Sequence, residues 1–140
     1  MTERLRNTLE SLAALLRQEG YPDYAADVDR VAERLSHSSD DACDLIGSLE
    51  FWGASGSIAD IAFCKENVEY FLKQRPNDQT LINLLERDPR EFRHSSNRLA
   101  RLMAALATDF EQMCKPGSPA SQFVPVAKQR AETLMSWVES

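Results

Sequence analysis

Apolar residues recur at steps of three and four along most of the chain, the period of helices that lay one face on a core. Leu5, Leu9, Leu12, Leu15 and Leu16 form the first stripe, and Gly20 stands where a left-handed helix stop belongs. After Gly20-Tyr21-Pro22-Asp23 the pattern restarts with Tyr24, Val28, Val31 and Leu35, and Asp23 is the expected N-cap. So short a link predicts an antiparallel helical hairpin. The polar break 36–40 ends in residues that can cap a third helix, with Ala42, Leu45, Ile46 and Leu49 buried and Gly47 as its weak point.

Downstream, Asn67 is expected to open a short helix carrying Val68, Phe71 and Leu72 and ending before Pro76. Asp78 then caps a helix with Leu81, Ile82, Leu84 and Leu85, and the turn between the two lies inside one domain. Asp88-Pro89-Arg90-Glu91 combines a cap, a proline at the first helical position and an acid at the third, so a helix begins there. Phe92, Ser95, Ser96, Leu99, Leu102, Met103, Leu106, Phe110 and Met113 fall on one of its faces. Arg90, Arg93, His94, Asn97, Arg101, Thr108 and Gln112 fall on the other. It should run to about Cys114, where Lys115-Pro116-Gly117-Ser118-Pro119 breaks it. A last helix from about Pro125 to Val138 would bury Ala127, Ala131, Leu134 and Val138.

No segment alternates apolar and polar residues, and no Asn-Gly or Asp-Gly hairpin signal occurs. The fold is therefore expected to be all-α: a single-domain bundle of about six to seven helices over residues 1–140, with an N-terminal hairpin and a long amphipathic helix near 89–114. No fixed-period repeat points to a solenoid. With 43% hydrophobic and 27% charged residues, the composition excludes the disordered and collagenous classes. The apolar runs fall well short of the roughly 20 residues of a membrane span, and the N-terminus reads as an amphipathic helix; a cytoplasmic protein is expected.

The net charge is −6 and unevenly spread. Residues 19–69 hold twelve acids and three bases, a local balance of −9, while the remainder sums to +3. Such a surface repels nucleic acid and anionic membranes and draws in a basic partner. Asp29, Glu33, Asp40, Asp41, Asp44 and Glu50 are its expected contacts, Asp29 and Glu33 lying opposite the apolar stripe of the second helix.

Little else suggests chemistry. Cys43, Cys64 and Cys114 are odd in number, far apart in sequence and accompanied by only two histidines, His37 and His94. That speaks against a disulfide scaffold or a zinc site and for small buried side chains. The Gly53-Ala54-Ser55-Gly56-Ser57 loop lacks the strand and the lysine of a phosphate-binding loop. It reads as a tight corner between helices, with Ser57 and Asp60 arranged like a capping box. Asp40, Asp41 and Asp44 at a helix start are explained by the helix dipole more simply than by acid catalysis. The arginines at 90, 93, 98 and 101 are interrupted by Asp88 and Glu91 and carry no interleaved aromatics. They read as a wet helix face, or as a complement to the acidic half of the same molecule or of a second copy in a homodimer. No metal, cofactor or catalytic residue is expected.

The run from Phe51 to Asp60 resembles a motif of a family of small, uncharacterised bacterial helical proteins, Trp-Gly-Gly-x-Gly-Ser-Ile/Leu-x-Asp, which follows a helical hairpin. Trp52, Gly53, Gly56, Ser57, Ile58 and Asp60 match it, and Ala54 replaces a glycine. The likeness covers about Leu5 to Phe63, with a weaker echo at 97–102. It implies a stand-alone cytoplasmic protein, in some members one resembling an immunity protein that neutralises a toxin, and it carries over no active site. The leading expectation is thus a non-catalytic protein-binding module with an acidic surface. The alternatives are a ligand or enzyme pocket at the Trp52–Asp60 corner and a self-associating structural protein.

Overall fold

The computed structural model describes residues 2–52, 58, 65–86, 88–136 and 138. In chain order the helices are α1 (Thr2–Gln18), α2 (Pro22–Leu35), α3 (Ser39–Ile46), the single turn α4 (Leu49–Trp52), α5 (Lys65–Gln74), α6 (Gln79–Glu86), α7 (Pro89–Met113) and α8 (Val124–Ser136). A 3-10 segment, Pro119–Phe123, leads into α8, and no strand occurs among the described residues. The fold is all-α, a helical bundle.

α1 is the central element, packing extensively on α2 along one side and on α7 along another. Leu5, Leu9, Leu12 and Leu16 are completely buried, and Leu15 and Ala13 nearly so. Its apolar face is thus wide enough for two neighbours. Gly20 takes φ +88°, a conformation only glycine adopts without strain, and it lets Tyr21 N donate to Leu16 O at 2.8 Å as the chain reverses into α2. Val28, Val31 and Leu35 are buried as the spacing predicts, joined by Ala25. On α7, Leu99, Met103, Leu106 and Phe110 face the core, with Ala100 and Ala107 beside them. α8 packs along α7 through Ala127, Ala131 and Leu134.

The helix starts follow side-chain chemistry. Ser38 Oγ accepts from Asp41 N at 3.3 Å, Asp78 Oδ1 from Thr80 N at 3.1 Å and Leu81 N at 3.3 Å, and Asp88 Oδ1 from Arg90 N at 2.7 Å. These are N-caps that satisfy otherwise free amides. Three boundaries differ from the sequence expectation. Tyr21 and not Asp23 is the N-cap of α2, because Pro22 fits the first helical position and leaves Asp23 inside the first turn. α5 starts at Lys65, ahead of Asn67. α3 stops at Ile46, so Leu49 belongs to the separate turn α4.

Gly47 is the C-cap at that last break, and it is closely packed. Its φ is −77°, open to any residue, but a Cβ there would lie 2.8 Å from Ala120 Cβ and 3.0 Å from Ala120 Cα and O. The end of α3 therefore sits directly on the 3-10 segment. Gly47→Ala should lower stability by about 1–3 kcal/mol, the usual effect of overpacking a filled site. Urea unfolding would show this as a shifted midpoint with an unchanged slope. A neutral Gly47→Ala would mean that the contact is looser than described.

Candidate functional site

Two buried polar contacts fasten α1 to α7, one at each end of α1. Asp109 is 1% exposed, and its Oδ1 accepts from Arg4 Nε at 3.1 Å and from a second guanidinium nitrogen. Glu19, 5% exposed, accepts a hydrogen bond of 2.5 Å from Ser95 Oγ. Arg4 and Glu19 are fifteen positions apart and Ser95 and Asp109 fourteen, both about 21–23 Å of helix. Glu19 N still donates to Leu15 O, so the helical rise extends to it. The two helices thus run antiparallel with matched spans. Neither contact is visible as a motif. The signal for it is the heptad spacing of Ser95, Leu102 and Asp109, which places an acid in line with apolar positions.

The predicted contact acids divide into three groups. Asp29 is paired with Arg17 across the α1–α2 hairpin, and Asp40 with Lys115 Nζ at 3.0 Å across the contact between α3 and the end of α7. Glu33, Asp41 and Asp44 are exposed and have no ion pair among the described residues. They flank the corner where α2 gives way to α3, and Asp41 and Asp44 are one helical turn apart. The side chain of Glu50 lies outside those described. Asp41 also sits in the first turn of α3, where the helix dipole favours a negative charge. His37 and His94 are exposed, as are Arg90, Arg98 and Arg101.

At the predicted motif, Trp52, Phe51 and Ile58 are buried to 1% exposure or less. Gly53, Gly56, Ser57 and Asp60 lie outside the described residues, and with them the expected capping box. Trp52 Nε1 and Ser48 Oγ, one turn apart, are buried without a hydrogen-bond partner among the described residues. Unpartnered buried polar atoms are uncommon in folded proteins. A shallow groove of about 250 Å³ lies elsewhere, between α7 and α8, floored by Ala104, Ala107 and Ala131 and edged by Met135 and the Lys128–Glu111 pair at 3.3 Å. No group of three or more metal-ligating side chains converges among the described residues, and no helix there is long and apolar enough to cross a membrane.

Cys43, on α3, and Cys114, at the C-cap of α7, are both buried and both free thiols. Burial, the Cys114 thiol beside it and then Asp40 and Asp44 push the Cys43 thiol up to about 12. Tyr21, which packs edge-on against Tyr24 with ring centroids 5.9 Å apart, is likewise pushed up to about 12, first by burial and then by Asp78 and Tyr24, against the opposing pull of Arg75.

Comparison with protein-family models, curated proteins and solved structures finds no match to this chain.

The weakened acidities of Tyr21 and Cys43 make the fold lose stability at alkaline pH. The unfolded chain loses these protons near the ordinary values of 10 and 9, before the folded chain does, so stability is full below pH 9 and falls as pH rises toward 12. Tyr21 alone accounts for on the order of 2 kcal/mol of that fall. Thermal midpoints measured from pH 8 to 12 should therefore drop less steeply in Tyr21→Phe than in the wild type. Parallel curves would contradict the assignment.

Proposed function

We propose that the chain is a non-catalytic protein-binding module that engages a basic protein through the acidic corner between α2 and α3. The observation that carries this reading is the exposed set Glu33, Asp41 and Asp44, unpaired among the described residues. Neighbouring Asp29 and Asp40 are already engaged by bases of the same chain. Charges left unneutralised on one rigid corner attract an oppositely charged surface and speed encounter with it, an effect that salt screens. In its most specific form the partner is a toxin and the chain is its cytoplasmic immunity protein. That form rests on the resemblance at Trp52–Asp60, of which Trp52 and Ile58 are described.

A second reading, a small-ligand site at the Trp52 corner, is favoured by one observation: Trp52 Nε1 and Ser48 Oγ offer buried hydrogen-bonding capacity that the described residues leave unused.

One comparison separates them. The immobilised chain and a triple variant, Glu33→Lys, Asp41→Lys and Asp44→Lys, are offered the same soluble extract at low salt, and association of the retained protein is then timed. The acidic-corner reading predicts a basic protein whose association slows at least tenfold in the variant and slows in the wild type as salt rises. Equal, salt-independent association would reject it. A ligand that shifts the melting of the wild type and the triple variant alike but not that of Trp52→Phe would support the second reading.

A further inference from the structure

We propose that the outer face of α7, beside its groove with α8, is the contact of a homodimer in which two copies of α7 pack antiparallel across a two-fold axis. Arg101, Ala104, Thr108 and Glu111 follow one another at steps of three, four and three, so they form one line along the helix. This line faces away from the core: Arg101, Thr108 and Glu111 are exposed and Ala104 is half-buried. Its last three members also line the groove of about 250 Å³, whose edge carries Met135, a large apolar side chain left 39% exposed. Small residues at the middle of the line let a second helix come close. The Thr108 hydroxyl donates to Ala104 O at 3.1 Å, so it can be covered without losing a hydrogen bond.

The charges select the occupant. Arg101 and Glu111 lie five positions either side of Leu106, and Ala104 and Thr108 two positions either side. Reversing the helix about that level maps the line onto its own complement. Arg101 of each copy then meets Glu111 of the other, and Ala104 meets Thr108, every pair occurring twice as an isologous contact requires. Parallel copies in register would instead set Arg101 on Arg101 and Glu111 on Glu111. Arg101 has no ion pair among the described residues, and Glu111 is held only by the exposed Lys128 at 3.3 Å, so each has capacity for the other. The seam uses none of Glu33, Asp41 and Asp44.

The full chain is sedimented at rising concentration, at low and at high salt. The expected mass climbs from one chain toward two, and the climb shifts to higher concentration as salt rises. Arg101→Glu and Glu111→Arg each set like charges opposite one another twice, and each should weaken self-association at least about tenfold. Mixed in equal amounts, the two variants should associate with each other, because every opposed pair is again of opposite sign. Circular dichroism of each variant checks that these exposed substitutions keep the helices, so a failed mixture counts against the seam and not against folding. The triple variant Glu33→Lys, Asp41→Lys and Asp44→Lys should still form the dimer. A chain that stays monomeric at every concentration, a dimer indifferent to both single reversals, or a mixture that associates no better than its components would overturn the proposal. So would loss of the dimer in the triple variant alone, which would put the acidic corner, and not Glu111, opposite the arginines of the second copy.

Discussion

The antiparallel seam between α1 and α7 is the constraint on which the other placements depend. Leucines on α1 and the Leu99–Phe110 stripe on α7 supply its attraction, yet apolar contact alone is indifferent to sliding by a turn. The buried contacts at its ends are not. Slipping α7 by one turn would pull Asp109 from Arg4 and Ser95 from Glu19 together, leaving two carboxylates buried without those donors. Because the intervals between the paired residues match to within one residue, both contacts close in one register. This is the role best attested for buried polar groups, fixing a unique alignment at some expense in stability. Asp109 shows that expense, since its Oδ2 is buried with no hydrogen bond.

From this seam the surface follows. α2 reverses on α1 through Gly20 and Tyr21, with the Arg17–Asp29 pair across the hairpin, and α3 leaves α2 at a corner that cannot turn back into the core. α3 is held from beneath by Gly47 against Ala120 and from the side by Asp40 against Lys115. A rigidly mounted acidic corner results. A fixed array of charges loses less entropy on docking than the same charges on a loose segment.

The chain's helices were legible in its sequence wherever local chemistry decides them. Asp78 and Asp88 announce helix starts because a carboxylate three atoms from free amides caps them whatever lies around it, and the leucine stripe of α1 reads as core at once. What could not be read depends on contacts between distant segments. Nothing local shows that Gly47 must stay free of a side chain; only Ala120, far along the chain, does that. Asp109 and Glu19 are buried only through the packing of distant segments. Of the six predicted contact acids, the sequence could not divide the paired Asp29 and Asp40 from the open Glu33, Asp41 and Asp44, because the bases that pair them come from other helices.

The seam is most directly tested by a double-mutant cycle on Arg4 and Asp109, with urea unfolding of Arg4→Met, Asp109→Leu and the combined variant. If the pair anchors the register, Arg4→Met alone should cost about 3 kcal/mol, the low end for stranding a buried charge, since Arg4 itself is largely in water. The double variant should then be more stable than the sum of the single effects allows, by at least about 1 kcal/mol. Single effects that simply add would contradict the claim that this contact holds the two helices in place.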